Sequence, residues 1–146
     1  MWDLFFSFRG RINRQPYWLA TLFMIVLALA VVFASLSAGL MAGGGALLLL
    51  VIYIPLVWAG FALAVKRLHD RDKSAWWLLV FYIVPGFLQG IGRALDETSW
   101  SLGLVLLLAG FGLSIWGLVE IGFLRGTRGP NRYGPDPLGE LQPAAN

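Results

Sequence analysis

Four stretches of this chain, residues 17–38, 46–65, 75–91 and 102–124, contain almost no charged side chain. Each is close to the roughly 20 residues that a helix needs to cross a hydrocarbon core about 30 Å thick. Inside a bilayer no water is available to backbone N–H and C=O groups, so stretches of this kind are stable only as helices that satisfy their own backbone. They predict an all-α integral membrane protein, a bundle of four transmembrane helices. With 58% hydrophobic and 13% charged residues, the 146-residue chain lies far from a soluble domain, where roughly 25% of residues are charged. At this length four spans leave no room for a second unit, so residues 1–137 read as a single membrane domain and 138–146 as a disordered tail.

The first stretch is preceded by Arg9, Arg11 and Arg14 and followed by ASLSA, which resembles a signal peptide, but its apolar run exceeds the roughly 7 to 15 residues of such a segment. It is expected to be retained. MAGGGA predicts a tight turn that makes a hairpin of the first two helices, and GRALDETS, with Asp96 and Glu97, joins the last two, with Thr98 and Ser99 as candidate caps. Of the eleven lysines and arginines only Arg93 lies in that last connection; the rest fall in the two terminal segments or between helices two and three. By the positive-inside rule both termini and the central loop face the cytoplasm. Tyr17, Trp18, Trp76 and Trp77 open helices one and three at the same interface, as an aromatic belt would. The net charge of +3 is therefore a matter of topology and membrane surface and does not point to nucleic acid.

Three polar motifs punctuate the apolar stretches: FRGRINRQPYW at 8–18, KRLHDRDKSAWW at 66–77 and GPNRYGPDP at 129–137. Together they resemble domain-of-unknown-function family 805, small bacterial inner-membrane proteins with about four helices. The first matches at Gly10, Arg11, Arg14, Tyr17 and Trp18. The second matches at Arg67, Leu68, His69, Asp70, Ser74, Trp76 and Trp77, and the third at Gly129, Asn131, Arg132, Tyr133, Gly134, Asp136 and Pro137. The chain departs from the pattern at Lys66, Ala75 and Pro16. The resemblance implies a multi-pass bacterial inner-membrane protein with N and C termini inside; it carries no biochemical activity, so function rests on the residues.

The expected topology gathers the motifs on one cytoplasmic surface, with Arg11, Arg14, Arg67, Arg71, Arg125, Arg128 and Arg132 near one another. These cations either set topology and touch anionic lipid loosely, or hold a phosphate or carboxylate through bidentate guanidinium groups. The expected partners are the bilayer, an anionic phospholipid headgroup or an acidic protein segment, and a second copy packed through glycine faces such as Gly86 and Gly90. His69 and Asp70 are the catalytic candidates, an acid or base with its orienting carboxylate, in an alternative reading as an enzyme acting on a phosphate-bearing lipid. The plainer alternative has Asp70 and Asp72 paired with Arg67, Arg71 or Lys73 to pin the turn. A lone histidine without cysteine does not make a zinc site, and no metal or cofactor is expected. Glu120 is the buried charge: five residues before Arg125, it is expected to face the interior toward Arg67 or an arginine of the first motif, as an ion pair or as part of a ligand or proton site. A third alternative, a small-molecule transporter or channel, would use kinks at Pro55 and Pro85, with Tyr53, Tyr82, Gln89 and Ser114 as the polar groups available to line a path.

Overall fold

The computed structural model of the chain describes residues 2–37, 45–95 and 99–139. Its helices follow the apolar stretches. After a short α1 (Trp2–Phe6) come α2 (Arg14–Ser37), α3 (Gly45–Asp70), α4 (Val84–Ala94) and α5 (Trp100–Leu118). Wide π-helical turns precede α4 at Leu79–Ile83 and extend α5 through Val119–Phe123. Arg14–Ser37, Val51–Asp70 and Trp100–Phe123 are long and apolar enough to cross a membrane, and Leu79–Ala94 is a shorter apolar helix. Among the described residues there is no β-sheet, only an isolated bridge between Asn131 and Gly134. Residues 41–44 of the expected MAGGGA turn, the residues Asp96, Glu97 and Thr98, and the tail from residue 140 lie outside the described residues, while Gly45 and Ala46 open α3.

Several boundaries differ from the sequence reading. Helix α3 runs on to Asp70, so His69 and Asp70 belong to its last turn and the reversal falls at Arg71–Lys73, with Asp72 at φ 56°. Ala75 and Trp76 sit in a turn and the next helix starts at Trp77; Ser74 receives the Trp77 N–H on its backbone carbonyl. Ser99 precedes α5 without a side-chain capping bond. Helix α1 was not expected, being far shorter than a span. Lys66, buried at the end of α3, donates its ammonium to the carbonyls of Asp3 and Leu4 and so ties α1 against α3.

The helices form two hairpins, α2 with α3 and α4 with α5. Among the described helices the backbone of the first approaches that of the second only at the Val119–Phe123 turn. The core lies at that end, where Ile12, Tyr17, Leu63, Ala64, Leu68, Phe81 and Ile121 cluster. Most of α2 and α5 exposes leucine, isoleucine, valine and phenylalanine, the surface a lipid-facing helix presents.

Within the second hairpin, Gly103, Gly110 and Gly117 recur every seven residues along the face that meets α4. A Cβ at Gly110 would lie 2.9 Å from the Pro85 carbonyl oxygen, one at Gly117 2.8 Å from Phe81 Cβ, and one at Gly92 2.7 Å from the Gly103 carbonyl. Close approach of this kind is how membrane helices gain packing contact. The Gly86 and Gly90 pair plays no part in it: a Cβ at either would meet no atom within 4 Å. Pro55 lines a cleft with Phe5, Phe6 and Phe23, whereas Pro85 lines a different cavity with Gln89 and Ser114. The two prolines thus line separate cavities.

Candidate functional site

The C-terminal end of α5 organises the polar residues. A helix end leaves its last carbonyls without internal partners, and at the edge of a bilayer each must find a donor. The π-helical turn closes with the Leu124 N–H on the Val119 carbonyl, and the chain then turns extended. Five successive carbonyls are each met by a side chain from the first two motifs. Arg67 Nε donates to Ile121 at 2.8 Å, Trp18 Nε1 to Gly122 at 2.9 Å and Arg14 Nη1 to Phe123 at 3.0 Å. Arg67 Nη2 donates to Leu124 and Arg71 Nη1 to Arg125, both at 2.7 Å. Cations at the negative end of the helix dipole add to these bonds.

Asp70 is the second centre. Arg11 donates to its Oδ1 through Nε and Nη2, and Arg67 to its Oδ2. All three side chains are at most 4% exposed. The third motif closes over them. Thr127 bonds the Asp70 carbonyl through its N–H and hydroxyl, while Arg11 donates onward to the carbonyls of Thr127, Gly129 and Gly134. Asn131 Nδ2 reaches the His69 carbonyl at 2.9 Å. Gly126 lies against the Asp70 carboxylate with no space for a Cβ. Asp136 accepts the N–H groups of Leu138 and Gly129, which hold its carboxyl below the ordinary range.

Two sequence expectations change here. Glu120 is buried and faces inward, but its partners are Arg71 at 2.8 Å and Lys73 at 3.6 Å, not Arg67 or an arginine of the first motif. Arg67 is unavailable because its three nitrogens already serve Asp70 and three carbonyls, those of Ile12, Ile121 and Leu124. Nor do His69 and Asp70 form a pair. Adjacent residues on a helix point about 100° apart. Asp70 turns in toward the arginines, while His69 Nδ1 faces the Gly10 carbonyl at 3.3 Å and its ring stacks on Tyr133 with centroids 3.8 Å apart. The plainer reading of the turn holds in altered form, Asp70 pairing with Arg67 and Arg11 and Asp72 with Arg132. Among the described residues no group of three or more His, Asp and Glu side chains is placed to hold a metal.

The belt residues divide between packing and exposure. Tyr17 is buried in the core, Trp18 packs on Gly122, Trp77 carries the Lys73 ammonium 4.2 Å above its ring, and Trp76 is 75% exposed. The three motifs, more than 100 residues apart at their extremes, thus interlock as one polar cap. Many of the residues that make it carried the family resemblance, and Arg71, Glu120 and Thr127 join them. The family described as "Protein of unknown function (DUF805)" matches residues 5–135. The chain belongs to the DUF805 family. It is 30% identical over 138 residues to Inner membrane protein YhaH of Escherichia coli, covering 94% of this chain and 90% of that one. Uncharacterized protein YiiR of the same organism is 31% identical, with 90% and 86% covered, and Inner membrane protein YhaI is 30% identical with the same coverage. No solved structure matches the chain. In this DUF805 member, then, Arg11, Arg67 and Asp70 are held by one another and by backbone, and ligand chemistry has to be sought at the rim.

At that rim a crevice of ≈ 200 Å³ opens between the Asn13–Gln15 segment and the chain after α5, lined by Arg14, Arg125, Thr127 and Asp136 among others. Arg14 is exposed and gives one Nη1 bond to Phe123; its Nε and Nη2 have no partner among the described residues. Arg132 stands apart, paired with Asp72 and lying over Tyr133. Arg128 is exposed beyond Thr127.

Proposed function

We propose that the protein is a four-span bacterial inner-membrane protein, both termini in the cytoplasm, whose crevice beside Arg14 and Arg125 binds the phosphate of an anionic lipid headgroup. The observation that carries the binding reading is Arg14, which gives one bond to Phe123 and lines a crevice of ≈ 200 Å³ that Arg125, Asn13 and Gln15 also line. Guanidinium groups suit phosphate through paired, charge-assisted N–H bonds. Asp70 on the same wall is balanced by two arginines, and Asp136, held ionised by two backbone N–H groups, has its charge offset by Arg11 and Arg125 nearby.

Support for four spans comes from length and charge. Helical residues 77–94 extend about 27 Å at 1.5 Å per residue, close to the hydrocarbon thickness. The basic segments meet at one end of the helices, and Arg93 is at the far end of α4. Single cysteines at Ser74 and Ser99 check the orientation: residue 99 is expected to react with an impermeant maleimide added to intact cells, and residue 74 only after the membrane is opened. External labelling of residue 74 reverses the topology and removes the cytoplasmic site with it.

For binding, native mass spectrometry of the detergent-purified protein is expected to show one anionic phospholipid retained over a zwitterionic one. The doubly substituted Arg14→Gln/Arg125→Gln protein should retain at least about a hundredfold less, since lost charge-assisted bonds are each worth about 1.5–3 kcal/mol. Equal retention of both lipid classes, or no change in the variant, would leave the basic rim a topology device and point to an acidic protein partner.

A further inference from the structure

Above the cytoplasmic cap the two hairpins separate, and the space between them is lined by polar groups that the cap does not use. A cavity of ≈ 420 Å³ lies between the α4–α5 hairpin and Tyr17 of α2, bordered by Tyr82, Pro85, Gly86, Gln89 and Ser114. A second, of ≈ 370 Å³, lies on the α2–α3 side, and Tyr17 and Tyr82 line both. Each is within the roughly 300–1,000 Å³ range of small-molecule sites. Ser114 satisfies its hydroxyl on the Gly110 carbonyl at 3.1 Å. By contrast, the Gln89 amide and the Tyr82 hydroxyl make no hydrogen bond to any described residue, neither is an unpartnered atom sealed from the surface, and both residues line the cleft.

Depth makes this informative. Gln89 is twelve residues past Trp77, about 18 Å from the cytoplasmic interface along the helix. At that level an amide left without a partner is costly, and polar side chains inside a membrane generally mark a pathway or a ligand. Gln89 Cγ is seated over Gly110 of α5, and Gly86 one turn away has open space where a Cβ would be.

We propose that this interhelical cleft is a binding site for an uncharged, lipid-soluble molecule that carries a carbonyl or hydroxyl group on a long apolar body, held by Gln89 and Tyr82. The ligand is uncharged because no cation or carboxylate lines the cavity, and lipid-soluble because the hairpins, joined by backbone only at the cap, leave the cleft open sideways to the bilayer. Gln89 offers both a donor and an acceptor, so it suits either kind of head group. The inference rests on the bilayer placement of Leu79–Ala94 given under Proposed function.

Thermal unfolding of the detergent-purified full chain tests it, with a decyl-substituted benzoquinone as probe and decylbenzene, which lacks the carbonyls, as its match. The quinone is expected to raise the midpoint by at least about 4 °C, and decylbenzene by less than a quarter of that. In Gln89→Leu the quinone shift should vanish while the unliganded midpoint stays level or rises, because a polar group without a partner has been removed. Tyr82→Phe should reduce the shift without abolishing it. Equal shifts from both probes, no shift with quinone up to its solubility, or a full shift in Gln89→Leu would each overturn the site. So would light scattering in which Gln89→Leu converts a dimer to a monomer, which assigns the face to a second copy. If Gln89→Cys reacts with a water-soluble maleimide, the bilayer placement itself fails; an unreactive cysteine with no quinone shift overturns the site alone.

Discussion

Arg67→Met is expected to be the most damaging single substitution in this protein, lowering its stability by about 3–5 kcal/mol, the range found when one member of a buried ion pair is removed. Arg67 is completely buried and closes two systems at once, half of the Asp70 carboxylate and two of the five carbonyls at the end of α5. With methionine there, Asp70 keeps only Arg11, and the carbonyls of Ile12, Ile121 and Leu124 lose their donor where little water can replace it. Arg67→Lys should recover less than half of the loss, because one ammonium cannot span acceptors that a planar guanidinium reaches in three directions. Arg132→Gln is the control: its pair with Asp72 is 60% and 46% exposed, and exposed pairs are worth at most about 1 kcal/mol. The comparison is read from the melting midpoint in detergent, where Arg67→Met should fall by roughly 10 °C or more. An unchanged midpoint would mean that the cap does not hold the hairpins together.

That keystone role also explains what the sequence could and could not disclose. Long apolar stretches identify their helices because only internal hydrogen bonding is stable in lipid, and the helices stand close to where composition put them. The gathering of the three motifs also followed, since cations on one side of a membrane must share a surface. Pairings did not follow, because they depend on rotation about a helix axis that composition does not encode. His69 and Asp70 look like a couple in sequence and are turned apart by the helical repeat. Glu120 was legible as an inward-facing carboxylate, but its partner was set by the competition for Arg67, which three backbone carbonyls and Asp70 had already claimed. The capping of α5 had no local signal at all; its donors come from residues 14, 18, 67 and 71. Helix α1 left only a faint one, in Trp2, Leu4, Phe5 and Phe6 around Asp3, too short for any length criterion.

The glycines of the second hairpin give the other large effect and separate two stripes that sequence alone treats as equivalent. Gly110→Val should destabilise the α4–α5 pair by about 1–3 kcal/mol or more, the usual penalty for overpacking, and at its upper end here because the nearest obstacle is backbone. A Cβ at residue 110 would lie 2.9 Å from both the Pro85 carbonyl oxygen and Gln89 Cγ, and the Pro85 carbonyl cannot yield without moving the start of α4. Gly86→Ala and Gly90→Ala, by contrast, meet no atom within 4 Å and should leave the midpoint unchanged or raise it, since alanine favours the helix by about 1 kcal/mol in soluble hosts. Measured side by side in detergent, Gly110→Val should melt well below the wild type and the two alanine variants should not. If Gly86→Ala lowered the midpoint as much as Gly110→Val, the open face of α4 would be packed against something in the purified protein, and a second copy would be the first candidate. If Gly110→Val were harmless, the hairpin would not depend on close backbone contact, and its stability would rest on the Phe81, Trp77 and Trp116 ring cluster, whose centroids lie 5.2–5.8 Å apart at the end nearest the polar cap.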